Sequence, residues 1–235
     1  MEYKVVLVTG EISSEQLSLM RNNFYKGNIK LIFWGTSVDK NLIADKSKVD
    51  DFFEIDITNI SLVEKAGEEL YRKYKRIDVL INNVSNHLMD ESVQWQKTVD
   101  NNLTAIFNCI KVVAPYMIKQ KFGKIINSAS LVNVYQTTEQ NSFDTTKSGL
   151  LGISRVWTRE LSKHGITVNT VYIGFVEPET YAANDKLLLQ NVCSKIPAGR
   201  LAKPIEIVKT YQFLISDEAS YISGTSIFID GGYFS

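Results

Sequence analysis

The stretch that decides the fold is VVLVTGEISSEQL, residues 5–17. It opens on five residues whose apolar and β-branched character is typical of a strand buried on both faces, and Gly10 follows them directly. The residues after this glycine have the composition of a helix start. A buried strand, a glycine turn and a helix in this order predict the first unit of a nucleotide-binding α/β domain.

The rest of the chain alternates short β-branched runs with longer segments of helical period. Near-continuous apolar strands between amphipathic helices predict an α/β fold, a doubly wound seven-stranded parallel sheet with helices on both faces. No internal repeat or glycine- and proline-rich linker interrupts this pattern, so we expect a single domain over residues 1–235. The predicted strands are 4–9, 29–34, 52–56, 79–82, 124–127, 167–172 and 226–229, and the predicted helices are 15–24, 61–74, 93–120, 143–164 and 205–216.

The composition argues against several classes of function. With 26 basic and 26 acidic residues the formal net charge is zero, which gives no electrostatic basis for binding nucleic acid or an anionic membrane. No apolar run approaches the ~20 residues that span a bilayer, and we expect no leader segment. Cys109 and Cys193 lie far apart without metal-ligand spacing. We therefore expect a cytoplasmic protein with no disulfide and no bound metal.

Short motifs recur in a characteristic order along the whole length. They are VTG at 8–10, DI at 56–57, DVLINNVS at 78–85, NNLTAIFN at 101–108, GKIINSAS at 123–130, VNTVYIG at 168–174, and a final segment from PAGRL at 197–201 to IDGGY at 229–233. By these motifs the chain resembles the short-chain dehydrogenase/reductase family, most closely its 3-oxoacyl-(acyl-carrier-protein) reductases. The resemblance implies a Rossmann-type domain that binds NAD(P) and transfers a hydride between the nicotinamide and a carbonyl or alcohol.

The resemblance also assigns the catalytic positions. Ser130 corresponds to the serine that hydrogen-bonds the substrate oxygen, Lys147 to the lysine that activates the tyrosine, and Asn102 to the asparagine of the proton relay. The family's tyrosine, its general acid/base, is replaced by Phe143. A phenyl ring has no proton to exchange, and losing a positioned acid/base costs a factor of ~10²–10⁴ in rate. We expect impaired catalysis unless water, Lys147 or Tyr135 supplies the proton.

The phosphate-binding turn is altered as well. In the family's TGxxxGxG pattern the glycines let the main chain approach the pyrophosphate, and the helix N-terminus stabilises its charge. Here Gly10 is present, whereas Ser14 and Gln16 occupy the other two glycine positions. Residues 13–16 also fit S-x-x-Q, a capping box in which Ser13 accepts from the amide of Gln16 and Gln16 reaches back to the cap. The helix start is therefore predicted to satisfy its own amides.

Other positions of the predicted cofactor site carry substitutions of the same kind. Glu11 and Glu15 place negative charge where the family has a phosphate, and we hypothesise that they repel a real anion. Ser85 replaces a glycine near the adenosine, and Pro178 replaces the threonine that contacts the carboxamide. Residues 34–37 contain neither an acidic residue nor an arginine, so no preference between NAD and NADP is predicted. By family position, the cofactor-binding residues are Gly10, Ser14, Gln16, Asp56, Ile57, Asn83, Lys147 and Gly174.

These patterns leave more than one function open. The leading hypothesis is a noncatalytic subunit or ligand-binding scaffold, and the alternatives are an active NAD(P)H-dependent reductase with an unusual proton donor and a binding protein for a small acyl or nucleotide ligand. Residues 179–196 would then give an apolar cover to the pocket. The family assembles through its last strand and helix and through two long helices, so we expect a homo-oligomer, a dimer or a tetramer, or a hetero-oligomer with an active paralogue.

Overall fold

The computed structural model describes residues 3–10, 12–35, 49–84, 95–130, 141–177 and 186–234. Within these ranges all neighbouring strands of one seven-stranded sheet are parallel. The strands are β1 Lys4–Gly10, β2 Ile29–Gly35, β3 Asp51–Glu54, β4 Val79–Val84, β5 Gly123–Ser130, β6 Ile166–Ile173 and β7 Ser226–Ile229. Their order across the sheet is β3-β2-β1-β4-β5-β6-β7, which confirms the predicted doubly wound fold.

Helices cover both faces of this sheet. They are α1 Ser14–Asn23, α2 Ile60–Tyr74, α3 Trp95–Val99, α4 Ala105–Gln120, α5 Asn141–Leu161, α6 Lys186–Lys195 and α7 Pro204–Ile215. One apolar core packs α2, α4 and α5 against one face of the sheet, and a second core packs α1 and α7 against the other. The sheet is therefore buried on both sides, as its continuous apolar strands require.

β1 shows how the sequence produces these two cores. Successive side chains of a strand point to opposite faces of the sheet. Val5 and Leu7 accordingly join the core under α2, α4 and α5, whereas Val6 and Val8 join the core under α1 and α7. All four side chains are fully buried. The strand order changes direction between β1 and β4, and this change places a crevice at the carboxyl ends of the strands.

Several predicted elements differ from the structure in their bounds, among them β5, which is predicted over 124–127 and runs from Gly123 to Ser130, and one helix differs in its continuity. The predicted helix 93–120 is interrupted, because a π-helical turn at Asp100–Thr104 separates α3 from α4. The buried positions in this turn and just before it, Asn102 and Thr98, are polar, so no apolar period in the sequence reveals it. The predicted strand 52–56 is shorter in the structure, where β3 ends at Glu54 and Asp56 lies in the following turn.

The described ranges contain two free thiols and neither a membrane-spanning helix nor a metal-binding cluster. No helix there is long and apolar enough to cross a membrane. No group of three His, Cys, Asp or Glu side chains in the same ranges is placed to hold a metal ion. Cys109 is buried, Cys193 is partly exposed and both are free thiols.

Two helical glycines make the packing of α2 against α4 testable. A Cβ on Gly67 of α2 would collide with a methyl group of Val112, whereas a Cβ on Gly152 of α5 would meet no atom within 4 Å. Gly67→Ala should lower the free energy of unfolding by about 1 kcal/mol, since overpacking outweighs the gain in helix propensity. Gly152→Ala should raise the free energy of unfolding by about 0.5–1 kcal/mol.

Urea unfolding followed by circular dichroism measures both effects. Gly152→Ala is the matched control, because it adds the same methyl group to a helix without a neighbour to displace. Equal stabilities for the two variants would contradict the packing described for α2.

Candidate functional site

The start of α1 is closed by its own side chains. Ser13 is the N-cap, and its hydroxyl oxygen accepts a hydrogen bond from the amide of Gln16 at 3.1 Å. The side-chain oxygen of Gln16 accepts in turn from the amide of Ser13 at 3.4 Å. Both halves of the predicted capping box are thereby confirmed. Glu15 lies in the first turn of α1, beside the positive end of the helix dipole, and Glu11 lies outside the described residues.

The glycines that remain near the carboxyl edge of the sheet are required by the fold itself. Gly10 has a φ of 94°, a value that favours glycine. A Cβ on Gly35 would lie 2.7 Å from the carbonyl oxygen of Gly10, and a Cβ on Gly174 would lie 2.8 Å from the Cα of Asp230. Sterics within the protein explain these glycines without a ligand, whereas Ser14 and Gln16 occupy two positions where the family has glycine.

The π-helical turn brings Asn102 to the helix that carries two of the family-matched positions. Asn102 is buried, and its side-chain nitrogen donates to the hydroxyl of Thr146 on α5 at 3.3 Å. Phe143 and Lys147 belong to the same helix, and Ser130 ends β5. The side chains of these three residues lie outside the described part of the structure, as do Ser85, Tyr135 and Pro178 as a whole.

Asp56 and Ile57 serve local structure. One carboxylate oxygen of Asp56 accepts from the amide of Thr58 at 2.9 Å and from its hydroxyl at 2.7 Å. This closes a turn ahead of α2. Ile57 is buried, and its carbonyl accepts from the side-chain amide of Asn108 on α4 at 3.2 Å. Asp56 is therefore placed as a turn cap, which is the structural role that aspartate commonly has after a strand.

A buried tyrosine that the sequence did not indicate lies beside Asn83. The hydroxyl of Tyr211 on α7 donates to the hydroxyl of Ser128 on β5 at 2.7 Å and approaches the side-chain oxygen of Asn83 at 3.5 Å. Burial raises the pKa of the Tyr211 phenol, so the phenol stays protonated and donates a hydrogen bond to Ser128. Nothing in the sequence pattern pairs these residues, because 83 positions separate Ser128 from Tyr211.

A sequence profile described as Enoyl-(Acyl carrier protein) reductase matches residues 24–234. The chain is also 32% identical over 248 residues to the 3-oxoacyl-(acyl-carrier-protein) reductase FabG of Thermotoga maritima, with 99% of this chain and 98% of that protein covered. The chain belongs to the short-chain dehydrogenase/reductase family. FabG of Staphylococcus aureus is 31% identical over 241 residues and covers 98% of each chain.

A solved short-chain dehydrogenase/reductase fold agrees with this membership. The crystal structure of NAD⁺-bound xylitol dehydrogenase superposes with a TM-score of 0.82 over 97% of this chain and 98% of that chain, at 22% identity. At this level of identity the likeness establishes the shared fold, while the chemistry depends on the residues of the site.

The residues at the start of α1 do not fit a dinucleotide in the way this family holds one. A diphosphate at a helix N-terminus is bound by first-turn amides and by close main-chain approach. Here the amide of Gln16 already has the Ser13 hydroxyl as its partner. Side chains at Ser14 and Gln16 also stand where the family has glycine, and Glu15 adds negative charge. The capping box therefore competes with a diphosphate for the same helix end.

Beneath this edge, a row of side chains crosses the sheet on the face covered by α2, α4 and α5. Each member lies opposite the next in the register of neighbouring strands. The polar row consists of Trp34, Thr9, Asn82, Asn127, Thr170 and Ser226.

Hydrogen bonds join the middle of the polar row. The hydroxyl of Thr9 donates to the side-chain oxygen of Asn82 at 3.0 Å, and the side-chain nitrogen of Asn82 donates to Asn127 at 2.8 Å. Cys109 of α4 also contacts the Thr9 hydroxyl, and burial raises the pKa of its thiol to about 12, so this cysteine stays protonated. The row therefore satisfies amide side chains in a layer that would otherwise be apolar.

The capping box makes a prediction about stability. Ser13→Ala removes the acceptor of the Gln16 amide and should lower the free energy of unfolding by about 1 kcal/mol. Ser13→Asp keeps an acceptor at the same position, places a carboxylate at the positive end of the helix dipole and should retain wild-type stability. Urea unfolding of the three proteins measures this difference. Unchanged stability of Ser13→Ala would show that the box does not hold the start of α1.

Proposed function

We propose that this member of the short-chain dehydrogenase/reductase family is a noncatalytic subunit or ligand-binding scaffold. The observation that carries the proposal is the capping box, in which Ser13 and Gln16 occupy the helix end that a dinucleotide diphosphate would need. The replacement of the family's tyrosine by Phe143 supports it independently, since it removes the proton donor. The two changes affect different steps, cofactor binding and proton transfer.

NAD(P) is the cofactor that family membership suggests, and we propose that this chain binds it weakly. Two further substitutions act in the same direction. Ser85 replaces the family's glycine near the adenosine, and Pro178 replaces its threonine at the carboxamide. A small acyl or nucleotide ligand without a diphosphate avoids the closed helix end and is compatible with the same crevice.

Assembly is part of this proposal. Large apolar side chains are exposed on the helices that the family uses for contact between subunits: Trp95 of α3 is 53% exposed, Phe107 of α4 43% and Val156 of α5 55%. Phe228 on the edge strand β7 is 53% exposed as well. Exposed apolar side chains on these helices and on the edge strand support association with a second copy of the chain or with an active paralogue.

The competing proposal is an active NAD(P)H-dependent reductase that takes its proton from water, Lys147 or Tyr135. The observation in its favour is the contact of Asn102 with Thr146, which keeps the relay asparagine beside the helix of Lys147. Such an enzyme must bind a nicotinamide cofactor, so cofactor binding separates the two proposals.

Calorimetric and fluorescence titrations with NADH and NADPH at low salt are the direct test. The wild-type protein should show no saturable binding up to millimolar cofactor, because Ser13 and Gln16 satisfy the helix start. Ser13→Gly/Ser14→Gly/Gln16→Gly removes the hydroxyl that holds the amide of residue 16, restores the family's glycines and should create measurable binding. Asn22→Gly is the matched control, since it places a glycine at an exposed position of α1 outside the first turn. Saturable micromolar binding by the wild type would overturn the noncatalytic proposal.

Restoring the proton donor gives a second test. In the Ser13→Gly/Ser14→Gly/Gln16→Gly background, Phe143→Tyr should raise the NADPH-dependent reduction of a 3-oxoacyl thioester by a factor of ~10²–10⁴. Phe143→Leu in the same background lacks the hydroxyl and should give no increase. Turnover by the wild-type protein that falls to background in Ser130→Ala would instead favour the active reductase.

A further inference from the structure

The polar row leaves the sheet and reaches a helix at Ser154 of α5. Its hydroxyl oxygen accepts from the side-chain nitrogen of Asn127 on β5 at 2.9 Å and from the hydroxyl of Thr170 on β6 at 2.8 Å. All three side chains are at most 2% exposed. Two neighbouring strands of the sheet are therefore joined to one atom of the helix.

A second contact strengthens the same attachment. One turn after Ser154, the hydroxyl of Thr158 donates to the carbonyl of Ser154 at 2.8 Å and lies 3.2 Å from the carbonyl of Val168 on β6. The bond to Ser154 lies within the helix, and the contact with Val168 joins the second half of α5 to β6. The helix is therefore held on β6 at a second point, one turn beyond Ser154.

The position of this attachment relates it to the candidate site. Ser154 follows positions 147 and 143 by whole numbers of helical turns, at spacings of 7 and 11 residues. A helix is rigid over this length, so fixing residue 154 also fixes how far positions 143 and 147 extend toward the carboxyl ends of β5 and β6. The apolar contacts of α5, made by Leu150 and Leu161, are buried but have no direction of their own.

We propose that Ser154 is a positioning residue of the candidate site, and that its two hydrogen bonds to Asn127 and Thr170 set the register of α5 on the sheet. This role concerns the frame that holds positions 143 and 147 and does not rest on the proposed loss of catalysis. It applies equally to an active reductase and to a scaffold, because either requires α5 in a defined place.

A pair of substitutions at Thr170 separates this role from simple filling of space. Thr170→Val keeps the volume of the side chain but removes the donor to Ser154, whereas Thr170→Ser keeps the donor and removes a methyl group. If the hydrogen bond sets the register, Thr170→Val should accelerate amide hydrogen exchange in residues 141–153 roughly ten-fold, while Thr170→Ser should leave it near the wild-type rate. If the side chain only fills space, the order is reversed.

Ser154→Ala and Ser148→Ala complete the measurement. Ser154→Ala removes the acceptor of both bonds and should accelerate exchange in residues 141–153 at least as much as Thr170→Val. Ser148→Ala is the matched control on the same helix, because Ser148 is exposed. Exchange in α2 reports on global opening and should change less than exchange in α5.

Two outcomes would overturn the proposal. One is wild-type exchange of residues 141–153 in Thr170→Val, and the other is equal acceleration in α2 and α5. Since exchange is measured without cofactor or turnover, neither outcome bears on whether the protein is catalytic. If Ser154→Ala fails to fold, the two Thr170 variants still decide between the hydrogen bond and the volume of the side chain.

Discussion

The need to pair buried amide groups shapes the middle of this protein. Asn82 and Asn127 are fully buried on adjacent central strands, where an unpaired amide side chain would cost a few kcal/mol. Each finds its partner in the other and in a neighbouring hydroxyl, and Ser154 extends the pairing to α5. Trp34 and Ser226 stand at the two ends of the polar row, and their polar side-chain atoms are the buried ones that lack a hydrogen-bond partner among the described residues. Pairing is thus complete in the centre, beneath the crevice.

The glycines of the crevice divide into two groups with different physical origins. Gly10, Gly35 and Gly174 are needed because the protein's own backbone would collide with a side chain or because φ is positive. At positions 14 and 16 the chain carries serine and glutamine, and the helix start gains a capping box. The glycines that the protein's own geometry requires are therefore kept, whereas the family's glycines for close approach to the pyrophosphate and for close packing of the helix are replaced. This contrast, more than the count of altered motifs, is the basis of the proposed change of function.

Much of the fold could be predicted from the sequence because its causes are local. The strands follow from short apolar runs, and the capping box of α1 follows from residues three positions apart. The π-helical turn around Asn102 could not be predicted, because the buried positions in it and just before it, Asn102 and Thr98, are polar and give no apolar pattern to follow. The pair formed by Tyr211 and Ser128 could not be predicted either, since it depends on how α7 is placed over β5. The positions of the candidate site could be named from the sequence as expectations, while the hydrogen-bond partners around Asn102 and Asn83 are set by tertiary packing.

The capping box also bears on how the protein's stability responds to its surroundings. A helix start that receives its partner from a bound molecule is stabilised in proportion to the logarithm of that molecule's concentration. Here the partner of the Gln16 amide is the hydroxyl of Ser13, three residues away in the same chain. Its effective concentration is fixed by the covalent chain and is the same at every level of cellular nicotinamide. The bond between Ser13 and Gln16 therefore holds the start of α1 without requiring a bound molecule.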